Sequence, residues 1–471
     1  MPIEFCKVFN RKCSISCKNP VETEQNSMKP QTPPREKQGH LVYQDLMEQL
    51  NPKHPLLALA KTFPWALLEK EFAGFYAAAG RPAKPIRLMV GLLLLKQVEN
   101  LSDERVVEAW VQNPYYQAFC GMEHFQWHKP CASSDLAHFR KRIGEAGVER
   151  IFQVSVALHG EAALEREVVI DTTVQEKNIT FPTDTKLRVK AMSRCWKLAA
   201  KEGISLRRSY RRESKKTLRI IRYSKKRHDR KKVSAAIRRV KTMANAVLRD
   251  LKRKLPEGAL SALREELELY HQAINQERQD KNKIYSLHEP GVLCISKGKE
   301  HKKYEFGAKA AIAMTKTSCI IVGAKNFSSN VYDGDTLPEV LSQIRAVRGA
   351  APEKAYCDRG FRGKKEVGET AIVLPGSPSP NATEYAKRKA RKDFGRRSAI
   401  EPVIGHLQHT FRLARNYLKG TLGDALNLLL AAAAFNFKKW LNALAQGLLF
   451  ALLFLLGLHH QEECKALPRC L

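Results

Sequence analysis

Acidic residues are scarce for a chain of this size. Its 471 residues carry 48 Asp and Glu against 81 Lys and Arg, a formal net charge of +33. Such an excess points to a polyanionic partner, through phosphate neutralisation and counterion release. Zinc-type cysteine spacing is also missing. The eleven cysteines include no Cys-x-x-Cys pair and none with a paired His at zinc spacing. This argues against a structural zinc and leaves reduced, mostly buried thiols of a cytosolic, nucleoid-associated protein. No apolar core of signal-peptide length opens the sequence, and residues 1–45 are expected to form a disordered leader. No internal repeat is evident. A long apolar run does occur at Leu441–Leu458, near the lower limit for a membrane span, but Asn442 and Gln446 interrupt it. The expectation for 441–471 is an apolar helix, packed on the core or on a second subunit, followed by a tail; a membrane partner is not expected.

Hydrophobic periodicity divides what remains. Residues 46–160 read as helices separated by Gly80-Arg81-Pro82, by Asn100-Leu101-Ser102 and by Pro114. Ser102 is placed to cap a helix that has Asp103 and Glu104 in its first turn. Tight turns and basic faces suit a DNA-binding domain. Residues 161–440 read as a second domain with a basic helical insertion at about 186–290. Between Lys186 and Lys254 there are 27 Lys and Arg against four Asp and Glu. Ala236, Val240, Met243, Val247 and Leu251 recur there at helical spacing, so the segment reads as folded and amphipathic. Phosphate contact is expected from Arg207, Arg208, Arg211, Arg212, Lys225, Lys226 and Arg227. Around the insertion, strand signals fall at Glu167–Thr173, Tyr304–Met314, Ser318–Lys325, a short run ending at Asp358, and Ala371–Leu374. Helices are expected after Asp335-Thr336, over Glu384–Arg397 and over Ile400–Leu418. That order gives an α/β fold, a mixed sheet flanked by helices of the RNase H-like kind.

Three carboxylates stand where a metal-dependent nuclease needs them. Asp171 ends the apolar run Val168-Val169-Ile170, and Asp358 ends Ala355-Tyr356-Cys357. Glu401 lies on the helical stretch after Arg396-Arg397. Two strand-end acids and one on a helix can converge on divalent cations that activate a water or 3′-hydroxyl and stabilise a leaving oxygen. Mg²⁺, for which Mn²⁺ can substitute, takes oxygen ligands, which fits carboxylates. Arg359 and Arg362, beside Asp358, are placed to hold phosphates.

Phe394-x-x-Arg397-x-x-x-Glu401, followed by Pro402-Val403-Ile404-Gly405-His406-Leu407, resembles the C-terminal signature of DDE transposases of the IS4/IS5 type. That family has Tyr, Arg, Glu and Lys at these offsets. Arg397 and Glu401 match, Phe394 takes the Tyr position and Gln408 the Lys position. Val168–Thr173, Tyr332–Leu337 and Lys354–Gly363 resemble the family's other core segments, and Pro52 to Arg150 its helical N-terminal domain. The resemblance implies a transposase that binds the terminal inverted repeats of its insertion sequence and performs Mg²⁺-dependent strand cleavage and transfer into target DNA. It implies Asp171, Asp358 and Glu401 as metal ligands, Arg397 on the phosphate near the scissile bond, and a homodimer, since two ends must be cut together. The alternative is a catalytically impaired, transposase-derived DNA-binding protein.

Overall fold

The structure is a computed structural model that describes residues 45–77, 82–224, 229–296, 303–376 and 383–455. The expected disordered leader, Gly80-Arg81 and the basic run Lys225-Lys226-Arg227 lie outside the described residues.

Among the described residues seven helices come first: α1 (Leu46–Gln49), α2 (Pro55–Thr62), α3 (Trp65–Ala73), α4 (Ile86–Val98), α5 (Asp103–Gln112), α6 (Pro114–Phe119) and α7 (Ser133–Ala157). The caps follow the sequence. Ser102 Oγ accepts the Arg105 N–H at 3.2 Å, satisfying a donor that the first turn of α5 leaves open. Gly144 breaks α7, with φ at +59°. α4 is apolar on every side and buried along almost its whole length, which is the behaviour of a central helix.

The sheet is built on β1 (Glu167–Glu176). After it come the insertion helices α8 (Asp184–Lys201), α9 (Arg211–Tyr223), α10 (Arg230–Lys254), α11 (Glu257–Ala262) and α12 (Arg264–Asn275). The chain then returns as β2 (Leu293–Ile295), β3 (Glu305–Thr315) and β4 (Ile321–Phe327). Next are α13 (Leu337–Arg348), β5 (Lys354–Tyr356), β6 (Glu366–Val367), β7 (Thr370–Val373), α14 (Glu384–Gly395), α15 (Ile400–His409) and α16 (Gly420–Leu455). β1 is central, antiparallel to β3 on one side and parallel to β5 on the other. β4 and β2 share the far edge of β3, while β7 extends the sheet beyond β5 in parallel and β6 closes a hairpin on β7. This is the expected α/β arrangement, a mixed sheet flanked by helices.

One apolar core runs from the N-terminal helices through the sheet to α16. The insertion has its own, drawn only from residues between Leu187 and Leu287. Within it α10 buries Val240, Met243, Ala244, Val247, Leu248 and Leu251, the stripe its spacing predicts, each contributing about 1.5–3 kcal/mol for the larger side chains.

Two boundaries depart from the sequence reading. The helix carrying Glu401 stops at His409 instead of reaching Leu418. The C-terminal helix starts at Gly420, well before Leu441. Gly420–Gln446 has the length and apolarity of a membrane span, yet 78% of its most apolar window is buried in the protein. Core packing is carried by 425–441, whereas Asn442, Ala443, Ala445 and Gln446 are exposed. Of the expected apolar run Leu441–Leu458, Leu441 is packed in the core, and the side chains from 447 onward lie outside the described residues. Asn436, fully buried, accepts the Ile321 N–H at 3.0 Å, and its amide donates to the Ile321 carbonyl at 2.8 Å. It thereby closes the end of β4 against α16.

Candidate active site

Parallel pairing sets the position of two acids. Val169 lies opposite Tyr356 between β1 and β5. Side chains alternate along a strand, so two residues further on Asp171 and Asp358 fall on one side of neighbouring chains. Asp358 follows the end of β5, whereas Asp171 lies within β1, which continues to Glu176 paired with β3, so the expected strand-end position holds for Asp358 alone. Both stand at the carboxyl end of the parallel part of the sheet, where ligands of open α/β sheets bind. Both line one cleft of about 640 Å³, together with Thr172, Lys309, Tyr332 and Asp333.

Local hydrogen bonds aim these groups. Asp171 Oδ1 accepts the Thr172 N–H at 2.7 Å. Asp358 Oδ1 accepts the Gly360 N–H at 2.8 Å, which folds residues 359–361 into a single 3₁₀ turn anchored by the buried Phe361. Gly360 lets the turn rest against Asp333: a Cβ would lie 2.9 Å from Asp333 Oδ2 and 2.9 Å from Asp358 Oδ1, so one of the two carboxylates would have to shift. Asp333 Oδ1 in turn accepts from Thr172 Oγ1 at 2.9 Å and from Lys309 Nζ at 2.5 Å. Lys309 is buried and also donates to the Val331 carbonyl.

The negative field of the pair is felt behind it. Cys357 is fully buried, and its thiol is pushed far above the ordinary range by burial and then by the charges of Asp358 and Asp171. Arg397 acts on the same thiol in the opposite sense, which puts its guanidinium within electrostatic reach of the pair.

Glu401 does not line this cleft. Its carboxylate is 66% exposed and lies 3.8 Å from Arg397 Nη2. Among the described residues, no three His, Cys, Asp or Glu side chains gather closely enough to hold a metal ion. The structure therefore brings together Asp171, Asp358 and the field of Arg397, and leaves Glu401 on the first turn of α15. That helix is nevertheless tied to the strand. Gln408 Nε2 donates to Thr173 Oγ1 at 3.2 Å. Phe394 packs edge-on to Tyr356, at the end of β5, with 6.2 Å between ring centroids.

The donors in the cleft suit a hard divalent cation. They are carboxylate oxygens with no thiol or imidazole among the lining side chains. Mg²⁺ is commonly held by one or two carboxylates while keeping several waters. Asp171 and Asp358 supply the two carboxylates of such a site.

Arg359 and Arg362 are exposed beside Asp358. Arg207, Arg208 and Arg212 are exposed on the insertion, and Arg211 lies over the Trp196 ring at 5.3 Å. Asp333 and Lys309 were missed as site residues by the sequence reading. The signal available was Asp333-Gly334-Asp335 before a helix, but nothing local tells that its first acid faces β1.

Residues 44–142 match the family described as Transposase domain (DUF772), and residues 278–437 match the Transposase DDE domain. The chain is 45% identical over 194 residues to a protein of Rhizobium meliloti named "Uncharacterized protein ORF8 in nfe locus". That alignment covers 39% of this chain and 92% of the relative. This chain belongs to the DDE transposases. No solved structure matches it. The DDE match contains Asp358 and Glu401 but begins only near the end of the insertion, so Asp171 lies upstream of it. In this transposase the link between β1 and the matched segment is made in space, by the pairing of β1 with β3 and β5.

Proposed function

We propose that this chain is the transposase of an insertion sequence of the IS4/IS5 type, acting through an RNase H-like core. It binds the terminal inverted repeats and catalyses Mg²⁺-dependent strand cleavage and transfer. The observation that carries this reading is the parallel register that sets Asp171 and Asp358 side by side in one cleft of a DDE transposase. The sheet order, with antiparallel β4, β3 and β1 followed by parallel β5 and β7, supports the RNase H-like assignment.

Asp171 and Asp358 would hold the cation, with Glu401 as the third ligand. When bound, the metal would activate a water or 3′-hydroxyl and stabilise the leaving oxygen. Asp333 holds Lys309 and Thr172 beside the cleft and so keeps the floor of the site rigid. Arg397 would meet the phosphate near the scissile bond, and Arg359 and Arg362 would hold the flanking backbone. Glu401 and Gln408 are seven residues apart on one stripe of α15, and Gln408 reaches the strand that carries Asp171. This reading requires a shift of α15 that brings Glu401 to the cleft when DNA and metal are present. A homodimer on two DNA ends is part of the same reading.

The exposed Glu401, with Phe394 and Gln408 in the Tyr and Lys positions, favours a second reading: a DNA-binding protein of impaired catalysis. One experiment separates the two. Purified protein is incubated with DNA carrying the inverted repeats that flank its coding region, with Mg²⁺ or Mn²⁺, beside Asp358→Ala. Metal-dependent cleavage at the repeat tips, absent in the variant, is the expected result. Repeat binding without cleavage by the unaltered protein selects the second reading.

A further inference from the structure

The insertion holds a built cleft remote in sequence from the DDE segment. The 204–210 loop, between α8 and α9, lies along α10 and encloses about 610 Å³ lined by Arg207, Arg208, Tyr210, Arg249, Asp250 and Arg253. Asp250 organises it. Its side chain is only 11% exposed and accepts the Arg207 N–H at 2.7 Å and an Arg253 guanidinium N–H at 2.7 Å. Lys254, 3.4 Å from the same carboxylate, donates to the Ser205 carbonyl at 2.6 Å. The loop is thus pinned to α10 by one acid and one lysine. Tyr210 completes it with a left-handed backbone, φ +52°, which a bulky residue adopts only when its surroundings impose it.

The charge in this cleft is not balanced from within. Arg207, Arg208 and Arg249 are exposed and have no carboxylate partner among the described residues. Three guanidiniums without a carboxylate partner on a concave surface repel one another unless an anion joins them. Their one further hydrogen bond among the described residues is that of Arg249 Nε to the Asn245 carbonyl at 3.4 Å. Guanidinium forks match phosphate oxygens, and a cleft of this size spans more than one phosphate. The module has a hydrophobic core of its own, so it can hold this surface without help from the sheet.

We infer that this cleft is a clamp on the DNA backbone, shaped by Asp250, that grips consecutive phosphates of a duplex away from the catalytic carboxylates. The inference rests on the DNA-transposase reading and adds to it a defined contact. Arg249 and Arg253 belong to the clamp although they lie outside the densest basic runs of the sequence.

Its test exploits a sign. Binding of the full-length protein to a fluorophore-labelled duplex of arbitrary sequence is followed by anisotropy over a salt series. Asp250→Asn adds a net positive charge, so unspecific attraction predicts tighter binding. The clamp predicts binding weakened about threefold or more, because the loop is released. Arg249→Gln with Arg253→Gln, both exposed, should cut the slope of log K against log salt by about 2. Lys215→Gln with Lys216→Gln, exposed on α9 outside the cleft and equal in charge change, should cut it by less than half as much. Asp250→Asn that binds as well as or better than the unaltered protein overturns the clamp, and so does a control pair equal to the cleft pair. Displacement of the duplex by inorganic phosphate at matched ionic strength would instead indicate a single-anion site and overturn it too. An unaltered protein that binds no duplex overturns the transposase reading along with the clamp, whereas binding with every variant unchanged overturns the clamp alone. Thermal melts confirm that each variant is folded.

Discussion

Gln408 on α15 donates a 3.2 Å hydrogen bond to Thr173 on β1, two residues beyond Asp171 and on the same face of that strand. The bond joins the helix that carries Glu401 to the strand that carries Asp171. A neutral hydrogen bond of this kind is worth about 1 kcal/mol net. Gln408→Ala should therefore lower the single-turnover cleavage rate about fivefold, with duplex affinity unchanged. Combined with Glu401→Gln it should be clearly less than additive, since both act through the placement of one helix. Full additivity would mean that α15 is not positioned by this bond.

Metal binding should be visible without turnover. Mn²⁺ or Mg²⁺ that binds only the folded protein raises its stability by roughly 2.7 kcal/mol at a hundredfold excess over Kd. A rise in Tm with either ion is expected, reversed by chelator and absent in Asp171→Asn and in Asp358→Asn. Both variants should melt at or above the metal-free parent, because each removes one of two neighbouring like charges. An equal rise in all three proteins would place the ion elsewhere.

Asp333 should prove structural first and catalytic second. Its loss strands Lys309, which is 8% exposed at the side chain, without its carboxylate. Breaking such a buried pair costs roughly 3–5 kcal/mol. Asp333→Asn should lower the denaturant midpoint by a corresponding amount. Lys309→Met in the same chain should restore most of the stability and little of the cleavage. Recovery of both together would show that Asp333 serves only to neutralise Lys309.

The N-terminal helices contain an acid-sensitive junction. Asp103 takes two hydrogen bonds from Arg140, at 2.8 and 2.6 Å, and lies 2.8 Å from Lys96 Nζ. Burial alone would raise its pKa, but the Arg140 hydrogen bonds and the Lys96 and Arg140 charges outweigh this and hold it at about 2. Lys96 moves to about 8, because burial and the neighbouring Arg140 outweigh the carboxylate they share. For Asp103 the folded value lies below the ordinary 3.8, so its stabilisation is present above pH 3.8 and is lost as pH falls toward 2. The shift is worth roughly 2 kcal/mol. The stability gap between the parent and Asp103→Asn should be wide at pH 7 and close progressively below pH 4. A gap that stays constant down to the acid transition would contradict the assignment.

Asn436 is the polar residue that α16 cannot replace with an apolar one. It satisfies both backbone groups of Ile321 and also donates to Ser155 Oγ at 3.2 Å. Asn436→Leu fits the volume but leaves a buried N–H and carbonyl unmet, at about 1–3 kcal/mol each. Urea unfolding should show a loss of at least 2 kcal/mol with an unchanged m-value. A neutral outcome would mean that water reaches the end of β4.

Much of this was legible in the residues. The run before Asp358, the amphipathic stripe of α10 and the Ser102 cap are local patterns, and each stands in the structure as read. The run before Asp171 is a strand too, but β1 continues past Asp171 to Glu176 because β3 pairs with it there. Harder were α15 and α16. Ile400–Leu418 is apolar enough to read as one helix, but the chain turns after His409, and Arg412 adopts φ +64° there. Helix length is decided by what the next segment packs against, here β1 and the buried loop around Asn416.

Sequence by itself determined the chemistry available to this transposase: the acids, the basic insertion, and the period that makes each segment strand or helix. Those properties depend on neighbours a few positions away. Tertiary structure alone decided which acids meet. Asp171 and Asp358 are brought together by a parallel register between strands separated by the whole insertion, Asp333 is swung in from a loop by Lys309, and Glu401 is left at the surface beside Arg397. Register and helix docking are set by the sum of many weak core contacts, and no short stretch of residues contains that sum.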